Sequence, residues 1–307
     1  MEHEMRVGGQ AVIEGVMMRA RRTVVAVRAP DGEIKISVLE NIPLPRRTPL
    51  SRIPFLRGIV VLVDSIVIGI RALNLSANLA SGEEEEFTTR DMIFSLLLAI
   101  VLAIGMFMVL PVYLTRLMAI RDTGVFAFVE GVLRAGVLVV YLMVISLFKD
   151  VKRLFQYHGA EHKSVHTYEN GKPLNLTSAK DFSVLHPRCG TTFLVVVVLV
   201  SIIVFGIADT FLGRSIMDRV ISRIVLVPVI AAISYEVQRI ASREPRNWVS
   251  KILLAPGMLT QKITTAEPDD SQLEVALSAL RAALKSPDED QNAENRQSVG
   301  DHCDRKF

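Results

Sequence analysis

The chain has 307 residues, half of them hydrophobic and 22% charged, with a formal net charge of +3. A positive mean hydropathy beside so many charges excludes an ordinary soluble domain, because the apolar residues must be gathered into long runs. Two cysteines, Cys189 and Cys303, exclude a disulfide framework and fit a reducing compartment, and nucleic acid is not an expected partner.

The opening MEHEMRVGGQ lacks the basic, apolar and small-residue succession of a signal peptide, so the amino terminus is expected to stay on the side of synthesis. Residues 1–52 read as a cytosolic segment. Within it, residues 22–40 alternate apolar and polar positions on both sides of APDG, which predicts a small β-hairpin turning at Asp31 and Gly32. The proline-rich NIPLPRRTP then ends the sheet, and the surrounding arginines are expected to enforce topology, with contact to anionic headgroups as the alternative. In the apolar stretch Ile53–Asn78, residues Arg57, Asp64, Arg71, Asn74 and Asn78 recur at helical spacing. That polar stripe assigns residues 53–79 to a re-entrant or interfacial helix. The run Glu83–Glu86 is a solvated acidic loop.

Four further runs, Met92–Thr115, Phe126–Phe148, Phe193–Leu212 and Val220–Ile240, approach the ~20 apolar residues of a spanning helix. They form two transmembrane hairpins, over residues 92–148 and 193–241. If these four cross and Ile53–Asn78 does not, 28 of the 35 lysines and arginines fall on one side and 4 in the opposite loops, 116–125 and 213–219. Basic residues accumulate on the cytosolic side, so both termini and residues 149–192 are expected there together. Glu130, Arg134, Asp209 and Glu236 within the spans, with Asp64, must face a bundle interior or cavity, and Glu130 is spaced to pair with Arg134. In residues 242–287, Ser271 and Glu274 have capping-box spacing ahead of Leu273, Leu277, Leu280 and Leu284 on one face, with Pro287 as a stop. This amphipathic tail helix is expected to dock on its own protein, a partner protein or the membrane surface. Residues 288–307 are polar and expected to be disordered, with His302 and Cys303 incidental. The fold class is therefore mainly α: a polytopic helical membrane protein of four spans plus one re-entrant or interfacial helix, with a small N-terminal β-hairpin and a cytosolic His/Cys-rich loop.

That loop, residues 149–192, carries the chemistry. YHGAEHKSVH puts His158 and His162 at i and i+4, on one helical face and able to share an ion, with Glu161 beside them. H-x-x-E-H is the inverted form of the metallopeptidase helix, whose glutamate acts as general base toward the water that the metal activates. His166 lies ~12 Å along the axis from His158 and belongs outside the ligand set unless the helix breaks. HPRCGTTF returns His186 and Cys189 just before a span. Four protein ligands would make a structural zinc site; dropping His186 or Cys189 would leave an open, catalytic position. A true inverted-motif peptidase takes a glutamate from far downstream; the one candidate, Glu236, lies inside the last span.

GGQAVIEGVMMR at Gly8–Arg19, YHGAEHK at Tyr157–Lys163, HPRCGT at His186–Thr191 and EPDDSQLEVALSAL at Glu267–Leu280 resemble the YqhQ-like family of bacterial membrane proteins, a domain of unknown function sometimes labelled a predicted metal-dependent enzyme. The resemblance runs from about Val7 to Leu284 and implies a bacterial inner-membrane location and a metal, but no substrate. In the first motif Gly8, Gly9 and Gly15 permit tight turns, and Glu14 is an alternative ligand or base, or else a surface carboxylate pairing with Arg19.

Two functions are expected from different classes. One is a zinc-dependent, peptidase-like hydrolase at the cytosolic membrane surface, with His158, His162 and His186 or Cys189 on the metal and Glu161 as base. The other is a non-enzymatic scaffold or assembly factor, in which a structural metal pins the loop, lipid surrounds the spans and the tail helix recruits a protein. A transporter is a weaker third.

Overall fold

The computed structural model describes residues 5, 7–39, 48–81, 89–211, 215–242 and 247–286. The acidic run Glu83–Glu86, most of the proline-rich segment, and His302 and Cys303 in the tail lie outside them.

Four strands, β1 (Gly8–Val12), β2 (Gly15–Arg19), β3 (Thr23–Arg28) and β4 (Ile34–Leu39), form one antiparallel meander in chain order. The expected hairpin is its second half, and it does turn at Gly32, whose φ of 87° suits glycine. The first half was hidden because β2 is buried on both faces. In β2 and β3, Val16, Met18, Val24 and Ala26 enter one core and Met17, Val25 and Val27 the other, so β2 reads as an apolar run and β3 departs from the alternation expected over residues 22–40. Gly15 is required by contact: a Cβ there would stand 2.0 Å from the Ala26 carbonyl oxygen of β3.

Helix α1 (Leu56–Ser81) covers one face of the sheet with Ile68 and Ala72. Two members of its polar stripe, Asp64 and Arg57, are held in ion pairs, while Arg71 is exposed. Asp64 takes an ion pair from Arg19 at 2.6 Å, Ser76 Oγ accepts from the Ile13 N–H, and Arg57 pairs with Glu236. Its outer positions Val63, Ile66, Val67 and Leu73 are exposed and apolar.

Helix α2 (Thr89–Ile104) runs through a π-turn at Gly105–Val109 into α3 (Leu110–Leu117), and α4 (Thr123–Ile145) returns. Then α5 (Lys149–Glu169) and the short α6 (Leu176–Lys180) form the histidine-bearing region, followed by α7 (Gly190–Phe211), α8 (Ile216–Val225), α9 (Val227–Ala241), α10 (Trp248–Thr264) and α11 (Asp270–Leu284). Among the described residues, four segments are long and apolar enough to cross a membrane: Leu56–Ser81, Ile93–Leu117, Thr123–Ile145 and Gly190–Phe211. The run expected as one span at Val220–Ile240 is instead two helices bent by 49°, because Pro228 lies in the first turn of α9 and cannot extend the ladder of α8. If α8 and α9 together count as one span, there are five.

The tail helix α11 docks on its own chain. Leu273, Leu277 and Leu280 are buried against the sheet face bearing Val16 and Val24 and against Tyr157 and Ala160 of α5. Its capping box is made by Asp269 and Gln272, not by Ser271 and Glu274: Asp269 accepts from the Gln272 N–H at 2.9 Å, and Gln272 Oε1 accepts from the Asp269 N–H at 3.0 Å. Glu274 instead faces Arg28 at 2.9 Å.

Candidate metal centre

The sequence folds α5 as one unbroken helix, so His158, Glu161 and His162 project toward the strand β1 and the loop before α7. There His158 Nε2 lies 3.2 Å from Cys189 Sγ, and the ligand atoms of His158, His162 and Cys189 all stand within 4.8 Å of one another. Backbone carbonyls fix the imidazoles. His158 Nδ1–H donates to the Thr264 carbonyl at 2.9 Å, and His162 Nδ1–H donates to that of Val184. Because a carbonyl can only accept, both rings are held with Nδ1 protonated and a bare Nε2 available as ligand. This is how histidines that bind metal are normally braced.

Burial lowers the His162 pKa, with the Cys189 hydrogen bond opposing, which keeps the ring neutral and able to ligate. Two imidazole nitrogens with a cysteine sulfur form a donor set that suits zinc.

Glu161 shares the same cavity, of about 110 Å³. Its carboxylate reaches to 3.5 Å from His162 Nε2 and accepts from the Gly9 N–H; burial raises its pKa, and His158 and His186 oppose the rise. Gly9 has to be glycine, since a Cβ would stand 2.7 Å from Glu161 Cγ. Of the glycines of the first motif, Gly9 and Gly15 therefore serve close approach, whereas a Cβ at Gly8 would meet nothing within 4 Å.

His186, one of the two alternatives for a further ligand, lines the same cavity with its ring 5.6 Å from that of His162, but its nitrogens are engaged elsewhere. Its Nδ1 accepts from the Arg188 N–H at 3.2 Å and its Nε2 faces Glu169 at 3.3 Å, while its ring lies 4.5 Å from that of His166. His166, Glu169 and His186 form a second cluster, but Arg188 occupies the Glu169 carboxylate and His166 Nε2–H donates to the Leu185 carbonyl. Burial lowers the pKa of both His166 and His186. Glu14 is no ligand in this arrangement: it pairs with Arg153 at 2.6 Å and accepts from the Tyr157 hydroxyl, while Arg19 goes to Asp64. Glu236 is held by Arg57, far along α9.

Two supports had no signal in the ligand motifs. Fully buried Gln261 of α10 clamps the loop that delivers Cys189, its Oε1 accepting from the His186 N–H and its Nε2 donating to the His186 carbonyl, both at 2.8 Å. The other is Gly159, where a Cβ would stand 2.1 Å from the Ala266 carbonyl oxygen. Backbone on backbone cannot yield as a side chain can. Gly159→Ala is therefore expected to cost at least the ~1–3 kcal/mol of an overpacked core and to loosen His158 from Thr264; a thermal melt unchanged from wild type would refute that contact.

Apolar helices long enough to span, a capped sheet beside them and a His/Cys cluster between define a helical membrane protein with a candidate metal centre. The chain belongs to the family described as "Protein of unknown function (DUF1385)", whose model matches residues 53–286. It is 32% identical over 296 residues to "Uncharacterized protein YqhQ" of Bacillus subtilis (strain 168), covering 91% of this chain and 92% of that protein. No solved structure matches.

Proposed function

We propose that the chain is a zinc-dependent hydrolase of the bacterial inner membrane, peptidase-like, working at the cytosolic surface. The observation that carries this reading is the pair of carbonyl-braced imidazoles facing one thiol with a carboxylate in the same small cavity. Three protein ligands leave a position for water or substrate. Zinc bound there would supply a Lewis acid that activates water at neutral pH. Glu161, held by the Gly9 N–H and raised in pKa by burial, is suited to take a proton from the attacking water and return it to the leaving group.

The membrane setting supports the surface placement. A four-stranded sheet with open edges has backbone groups that hydrocarbon cannot satisfy, so the sheet, and the part of α1 packed on it, belong outside the apolar layer. With the basic residues of the sheet, α5 and α11 on that side, both termini are cytosolic in this reading. Below Cys189, Phe193, Val197, Ser201 and Phe205 follow at four-residue intervals along α7 and line an apolar cavity of about 400 Å³. A substrate with a membrane-embedded portion suits that continuation. The scaffold alternative loses one support, because the apolar face of α11 is already filled by the chain's own sheet.

Cobalt substitution tests the reading. Cobalt(II) should give a thiolate charge-transfer band that Cys189→Ser abolishes, and a small anion or hydroxamate should perturb the spectrum by entering the open position, in Glu161→Gln as in wild type. A band indifferent to every added ligand would mean a closed structural site and would sink the hydrolase.

A further inference from the structure

The opposite end of the bundle gathers three arginines around one cavity. Helix α7 starts at the candidate metal centre and ends at Phe211, ~33 Å away at 1.5 Å per residue. At that end Arg116 of α3, Arg121 of the following turn and Arg219 of α8 converge on a cavity of about 420 Å³, which also takes in Ile120 and Phe126. Among the described residues, no carboxylate lines it.

The acidic groups nearby are already committed. Glu130 is shared by Arg134 and Arg223, and Asp209 by Arg223 and Arg219. Asp122 caps α4 by accepting from the Val125 N–H at 2.8 Å, and Asp218 accepts from the Ser215 N–H at 3.3 Å. Among the described residues, Arg116 and Arg121 have no anionic partner, and both are exposed. Arg219 forms the inner wall, stacked 3.4 Å from the centre of the Phe126 ring and fixed by Asp209 at 3.2 Å. Between the two outer arginines the chain reverses through Ala119 at φ 53°, a left-handed conformation that a residue with a side chain adopts only at a cost. This turn sets Arg116 and Arg121 on the same cavity.

The surroundings sharpen the point. The two loops on this side of the proposed topology carry only four basic residues, and three of them meet here. Basic residues are disfavoured on a non-cytosolic face, so topology does not account for their clustering. Guanidinium groups recognise phosphate by paired, charge-assisted hydrogen bonds, and the volume is that of a ligand site. Leu117, Met118 and Met217, next in the chain to residues that line it, are exposed and apolar, as acyl chains would require.

We propose that Arg116, Arg121 and Arg219 form a binding site for a phosphate-bearing anion on the face opposite the candidate metal centre, with a phospholipid headgroup or free phosphate as the source. The site stands whether or not the metal reading holds.

The test uses delipidated full-length protein in detergent, titrated by native mass spectrometry with phosphatidylglycerol or phosphatidylcholine and by calorimetry with inorganic phosphate. Arg116→Gln/Arg121→Gln replaces two exposed side chains and should leave the circular dichroism unchanged. Phosphatidylglycerol is expected to bind wild type about tenfold more tightly than phosphatidylcholine. That preference should vanish in the glutamine variant and return in part in Arg116→Lys/Arg121→Lys. Binding of inorganic phosphate to wild type but not to the glutamine variant, without lipid preference, would support the site with free phosphate as its ligand. Equal behaviour of wild type and glutamine variant toward both probes, or no binding of either by wild type, would overturn the proposal.

Discussion

Cys189→Ala is expected to strip the purified protein of stoichiometric zinc, and His158→Ala and His162→Ala to do the same. Each removes one of three ligands, so affinity should fall by more than the ~10–100-fold typical of losing an outer partner. His186→Ala provides the contrast. Its nitrogens face Arg188 and Glu169 rather than the thiol, so this variant should retain metal within that 10–100-fold window. Glu161→Gln should retain it too, because the carboxylate stands beside the ligands and is not needed to complete them. Metal content by mass spectrometry, after purification without chelator, reads all five. Chelation should also lower the melting temperature of wild type, since a ligand held only by the native state stabilises it by mass action, and should leave Cys189→Ala unmoved. Zinc lost in His186→Ala as completely as in Cys189→Ala would mean a four-ligand structural site. Wild type devoid of metal would remove the centre altogether.

The sequence displayed the parts of this centre that depend on local spacing. His158 and His162 are four apart on a helix, and the cysteine lies in the same loop, so their meeting was foreseeable; that Cys189 rather than His186 groups with both imidazoles was not. It turns on backbone atoms: the carbonyls of Thr264 and Val184 that orient the imidazoles, and the Gln261 amide that fixes the loop. No residue type encodes a carbonyl's direction. Likewise strand β2 gave no alternation, because α1 and α11 bury both sheet faces there, and a two-sided core erases the polar half of the period; β1 opens on two exposed glycines that carry no side-chain pattern. The tail helix was legible from its leucines, but its cap lay two residues earlier, where Asp269 and Gln272 offer the same spacing as Ser271 and Glu274. The sequence alone had no means of ranking the two.

The buried ion network of the bundle supports the second large effect. Glu130–Arg134 pairing was readable from i, i+4 spacing, but Arg223 joins it from α8: its Nε donates to Glu130 at 3.1 Å and its Nη2 to Asp209 at 3.0 Å. Arg134 also donates to Ser201 Oγ and to the Phe107 carbonyl in the π-turn, and Phe205 lies under both guanidinium groups. Three guanidinium groups thus face two carboxylates, all at most 8% exposed. The excess is positive, which makes the two directions of mutation unequal. Arg223→Leu leaves Glu130 with Arg134 and Asp209 with Arg219, one cation each. Glu130→Gln leaves three cations around the single carboxylate of Asp209, in a setting where an unpaired charge costs about 3–5 kcal/mol. Glu130→Gln is therefore expected to be the more damaging, lowering the melting temperature in detergent by on the order of 10 °C. Adding Arg134→Met should recover part of that loss, because it removes a cation that Glu130 had held. A double variant that loses the sum of its two single effects would show no coupling between them, and Glu130→Gln milder than Arg223→Leu would show that packing, not charge, holds these helices together.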